Sequence, residues 1–117
     1  EKTPLAVLNR IISNLGYEVE AYHDSIRALE AFTRKNDHFD LLITDQVMPD
    51  LTGTQLLSKI RSKNTNIPVI LLTGFDEVRL EKTDSDQLRI DKVLKKPLLN
   101  LDLAYAIRKM LDGKPNR

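Results

Sequence analysis

Three short stretches of this chain carry residues that could do chemistry together: "TDQVMPDLTG" at 44–53, "LLTG" at 71–74 and "KKP" at 95–97. They supply a carboxylate (Asp45), a hydroxyl (Thr73) and an ammonium (Lys96). Each stands at the end of an apolar run, and each leads into a backbone punctuator: the Met48-Pro49 to Gly53 loop, Gly74 and Pro97. A carboxylate can act as a nucleophile toward a phosphoryl group. A hydroxyl and a lysine beside it can hold the phosphoryl oxygens, one by hydrogen bond and one by charge. Such a site also calls for a divalent cation between the two anions, and Mg²⁺ takes several oxygen ligands.

These residues can meet only if the elements carrying them end along one edge. "FDLLIT" and "PVILLT" are continuous apolar runs, which read as strands covered on both faces and hence as a parallel sheet between helices. "KVLKKP" reads as a last short strand ended by Pro97. "YEVEAY", 17–22, alternates apolar and polar residues and predicts another strand. Between them lie helical patterns. Residues 4–15 place Leu5, Leu8, Ile11, Ile12 and Leu15 on one face, with Thr3 as cap, Pro4 in the first turn and Gly16 as stop. "DSIRALEAFTRK" is capped by Asp24 or Ser25, with Ile26, Leu29 and Ala31 or Phe32 inward. "TGTQLLSKIRSK" turns Leu56, Leu57 and Ile60 inward. Residues 75–91 read as a short or irregular charged helix. "NLDLAYAIRKML" is capped by Asn100, turns Leu103, Ala104, Ile107 and Leu111 inward and stops at Gly113. The alternation predicts right-handed crossovers and a flavodoxin-like, doubly wound α/β fold with helices on both faces of a parallel sheet. In such sheets ligands bind at the carboxyl ends of the strands, where Asp45, Thr73 and Lys96 fall. The chain opens on a helix, so the first, central strand is expected to be missing from it.

Composition narrows the classes. The chain has 117 residues, a length for one domain, read as residues 1–113 with a tail at 114–117. A net charge of +1 argues against a dedicated nucleic-acid binder. With no cysteine, disulfides and thiolate metal sites are excluded. The apolar runs are far shorter than the roughly 20 residues needed to span a bilayer. A cytoplasmic domain without membrane contact is the expectation. His23 and His38 are isolated, with no partner at metal-ligand spacing. Asp50 reads as a loop acid and Met48 as a packing residue.

The three motifs, in this order and over essentially the whole chain, resemble the response-regulator receiver domain of two-component signalling. The resemblance implies that Asp45 accepts phosphate from a histidine kinase or phosphotransfer domain. It implies that Thr73 rearranges to bond the phosphoryl group, that Lys96 pairs with it, and that Asp45 and the backbone carbonyl of Val47 ligate Mg²⁺. The ending "VLKKPLLNLDLAYAIRKMLDG" is similar to receivers attached to hybrid sensor kinases, whose parent protein would be a kinase. A homodimer is compatible with the class.

Two positions depart from the family pattern. Receivers carry an acidic pair just after the first strand to hold Mg²⁺; by the count back from Gly16, both acids fall upstream of Glu1. An aromatic residue often stands three positions before the lysine, where this chain has Val93, so the usual aromatic–hydroxyl switch is not expected in its ordinary form. The competing readings are a degenerate receiver that only docks proteins, and an aspartyl-phosphate hydrolase. The hydrolase needs a second acid two residues after the nucleophile, where Val47 stands.

Overall fold

The computed structural model of the chain describes residues 5–35, 38–47, 50–63, 66–74, 88–96 and 100–112. They form four helices, α1 (Leu5–Asn14), α2 (Ser25–Arg34), α3 (Gly53–Arg61) and α4 (Asn100–Asp112), and three strands, β1 (Leu42–Asp45), β2 (Val69–Thr73) and β3 (Lys92–Lys95). The strands make one parallel sheet in the order β1-β2-β3.

Local sequence explains most boundaries. The Asp24 carboxylate accepts from Arg27 N–H at 2.8 Å and starts α2. Thr52 and Gln55 form a reciprocal capping box at the start of α3. Gly16, at φ +101°, reverses the chain after α1.

β2 is the centre of the structure, with Val69, Ile70, Leu71 and Leu72 all at 0–1% exposure. Ile70 and Leu72 pack with Leu8 of α1 and with Leu103, Ile107 and Leu111 of α4. Val69 packs on the opposite face with Phe32 of α2 and Leu56, Leu57 and Ile60 of α3. Both faces of the strand are therefore apolar, which is why its sequence does not alternate. Two arginines fasten the layers. Arg61 donates to the carbonyls of Ile67, Leu88 and Arg89 at 2.8 Å each, tying the end of α3 to the entries of β2 and β3. Burial lowers the pKa of this guanidinium, and Arg89 adds to the effect. Arg108 of α4 donates to the Leu15 carbonyl and the Tyr17 hydroxyl and lies over the Tyr17 ring.

The structure corrects several expectations. Residues 17–22 form no strand. Their alternating pattern is present, yet no described strand lies beside them to pair with, and an extended segment becomes a strand only through a neighbour's hydrogen bonds. Ile26 is 41% exposed rather than inward; Ala31 and Phe32 hold the buried face of α2. Asn100 is itself the first helical residue of α4 rather than its cap, and Ala106, not only Ala104, faces the core. Most of the 75–91 helix, the Thr3 and Pro4 start of α1, the Gly113 stop and the 114–117 tail lie outside the described residues.

Candidate functional site

The parallel register brings the three strand ends to one edge. Asp45 is the last residue of β1 and pairs with Leu72, and Thr73 is the last of β2 and pairs with Lys95. Lys96 follows directly, and its N–H donates to the Thr73 carbonyl at 2.8 Å. On the other side Gln46 N–H donates to the Leu72 carbonyl at 2.9 Å. Each residue that follows a strand thus continues the ladder by one bond, which fixes where its neighbour's side chain can go.

Lys96 is expected to sit at the site, and it does so as a buried residue. Its side chain is 6% exposed, and Nζ lies 2.6 Å from Asp45 Oδ1. Lysine is seldom buried without a partner, and here the partner is the carboxylate. The neighbouring Lys95 is exposed. Asp45 Oδ1 is fully buried and, apart from the Lys96 ammonium, accepts no hydrogen bond among the described residues. The Asp45 side chain as a whole remains 28% exposed, so one side of it opens toward solvent. Asp45 and Lys96 are in direct contact, and Thr73 stands on the same edge, linked to Lys96 through the backbone.

The loop after Asp45 is held by groups that the motif reading passed over. Gln46 accepts from Thr54 N–H at 2.9 Å through Oε1 and donates to Thr54 Oγ1 at 3.2 Å through Nε2, clamping the start of α3 to the end of β1. Gly53 N–H donates to the Gln46 carbonyl at 2.8 Å. Ser25, fully buried, accepts from Leu51 N–H at 2.9 Å and ties the loop to α2. The Thr-x-x-Gln spacing at 52–55 was a readable capping signal; nothing local marks Gln46, and Ser25 reads locally only as a cap candidate for α2, not as the partner of Leu51. Gly53 is required by space: a Cβ there would collide with the Asp45 carbonyl and press on Leu71. Asp50 adopts φ 75°, a left-handed turn conformation that aspartate tolerates better than most residues. It is exposed, as a loop acid should be.

His23 and His38 are both exposed. His38 lies 3.7 Å from Glu20, which also binds Lys35 at 2.8 Å. No group of three or more metal-ligating side chains occurs among the described residues. Val47 is 52% exposed and Val93 41% exposed.

A family model for the response regulator receiver domain matches residues 1–108. The chain belongs to this family. As a receiver it is 35% identical over 104 residues to the response regulator receiver protein CpdR of Brucella abortus, covering 89% of this chain and 84% of that protein. It is also 35% identical to the response regulator MprA of Mycobacterium leprae, of which it spans only 44%. Among solved structures, a CheY-like receiver domain protein from Methanospirillum hungatei superposes with a TM-score of 0.82 at 30% identity, over 93% of this receiver and 85% of that chain. The receiver domain of an HD domain-containing protein from Pseudomonas fluorescens gives 0.83 at 26% identity, over 97% and 89%. The α/β, flavodoxin-like fold expected from the alternation is thereby borne out.

Proposed function

We propose that this receiver accepts a phosphoryl group on Asp45 from a phosphohistidine of a histidine kinase or phosphotransfer protein. The observation that carries this is the buried Lys96 ammonium 2.6 Å from a carboxylate at the carboxyl edge of a parallel sheet. In the transfer, a carboxylate oxygen attacks phosphorus. The P–N bond of phosphohistidine breaks as the P–O bond of the acyl phosphate forms, and the imidazole leaves, taking up a proton. Lys96, whose ammonium lies against the carboxylate before transfer, holds the phosphoryl oxygens after it in this reading. Thr73, on the adjacent strand end, is the hydroxyl available to donate to them.

The residues present suit part of a Mg²⁺ shell: a partly open carboxylate at Asp45 and the carbonyl of Val47, both hard oxygen donors. Water and further anionic oxygens must complete it. When bound, the ion supplies charge neutralisation between the carboxylate and the incoming phosphoryl group. The docking-only reading draws support from Val93, and would gain more only if the intact protein lacked the acidic pair expected upstream of Glu1. The buried ion pair is what favours phosphorylation over it. No helix among the described residues is long and apolar enough to cross a membrane.

The test is to treat the intact protein with acetyl phosphate and Mg²⁺ and weigh it. A gain of one phosphoryl group that disappears in Asp45→Asn is the expected result. An unmodified intact protein refutes the reading in favour of docking.

A further inference from the structure

Gln46 stands between the two groups that this loop offers the site, the Asp45 carboxylate and the Val47 carbonyl. Its backbone N–H, its backbone carbonyl and both ends of its side-chain amide have partners. The N–H donates to Leu72 of β2, and the carbonyl accepts from Gly53 N–H. Oε1 accepts from Thr54 N–H, and Nε2 donates to Thr54 Oγ1. One residue therefore joins the end of β1, the central strand and the first turn of α3.

A helix begins with four amide groups that no helical carbonyl satisfies. In α3 the capping box takes two of them: Thr52 N–H donates to Gln55, and Gln55 N–H to Thr52. Gln46 takes the other two, Gly53 N–H through its carbonyl and Thr54 N–H through Oε1. Thr52 already serves α3 as its own cap. The side-chain contact from Gln46 reaches across eight positions, so it also closes the loop that leaves Asp45. The same loop is pinned at Leu51 by the fully buried Ser25 hydroxyl. Asp50, one residue earlier, keeps a φ of 75°. A residue other than glycine stays in that region only where its surroundings fix it, and such positions cluster at functional sites.

We infer that Gln46 is a positioning residue for phosphoryl transfer. Its two side-chain bonds to Thr54 hold the peptide units on either side of it. Through them they set the direction of the Asp45 carboxylate and the Val47 carbonyl. This role rests on Asp45 being the phosphoacceptor. Misplacing a reacting group by about 1 Å costs on the order of 100-fold in rate, so the clamp governs rate beyond what it adds to stability.

The test compares variants of the intact protein under acetyl phosphate and Mg²⁺, with phosphoprotein followed by mass. Gln46→Met keeps the length of the side chain and removes both bonds. Its initial rate is expected to fall at least about fivefold. Gln46→Glu keeps an acceptor for Thr54 N–H and for the Thr54 hydroxyl, and its rate is expected within about threefold of wild type. Ile60→Val, a buried truncation near the other end of α3, loses stability without touching the clamp and is expected within about twofold. In Gln46→Met the Thr54 amide is expected to exchange at least about tenfold faster, with the β2 amides unchanged. If Gln46→Met does not fold, Thr54→Val, which removes only the Nε2 contact, takes its place with an expected fall of at least about threefold. A smaller fall than these, Gln46→Glu as slow as Gln46→Met, or Ile60→Val as slow as either overturns the role of Gln46 while Asp45 stands. A wild-type protein that gains no phosphoryl group overturns the reading of Asp45, and the role of Gln46 with it.

Discussion

β2 and residues 17–22 both carry sequence suited to extended structure, yet only β2 is a strand. β2 has a hydrogen-bonded neighbour on each side and a helical layer on each face. Residues 17–22 have no paired strand beside them among the described residues. The contrast teaches that strand character belongs to pairs of segments: local pattern makes a chain eligible for a sheet, and the partner decides.

Several measurements can break or sharpen this contrast. The largest difference should appear in amide exchange. The β2 amides should exchange only near global unfolding, and those of 17–22 orders of magnitude faster; equal rates would remove the distinction. Next, Leu71→Ala in β2 should destabilise the protein by about 2–5 kcal/mol in urea unfolding, whereas Val19→Ala, in the unpaired segment, should cost less than about 1 kcal/mol. Gly53→Ala, pushing a methyl at the Asp45 carbonyl, should destabilise by about 1–3 kcal/mol and reduce phosphorylation of the intact protein more than its stability loss alone explains. Ser25→Ala strips the partner from the Leu51 amide and should cost about 1–3 kcal/mol. The smallest effect lies at Glu20. Hydrogen bonds from Lys35 and then Tyr22 hold its pKa below the ordinary 4.5. Because the folded-state pKa is depressed, the pair's contribution is present at neutral pH and lost as pH falls through the folded value. Glu20 is exposed, so the change in stability should be slight. An NMR titration should show a midpoint below 4.5 that rises in Lys35→Ala.

The layered fold was legible because apolar runs and helical periodicity survive in short windows: 42–45, 69–73 and all four described helices fall where the pattern puts them. Asp45, Thr73 and Lys96 could be named because each is a polar residue at the end of an apolar run. What could not be read was anything set by distant partners. The burial of Lys96 follows from Asp45, fifty-one positions earlier in the chain. Ser25 looked like a cap candidate, but its hydroxyl serves Leu51. Residues 17–22 failed as a strand for the same reason in reverse: no local signal records a missing neighbour. Ile26 fell outside because the buried stripe of α2 is narrower than its count of apolar residues.

Arg61 has a consequence for how this receiver comes apart. One guanidinium bonds three carbonyls, at the start of β2 and just ahead of β3, from the last turn of α3. Those three elements are distant in sequence but share this fastening. They should therefore open as one cooperative unit rather than fray separately. The edge bearing Asp45, Thr73 and Lys96 would then persist whole until that unit melts, and vanish with it.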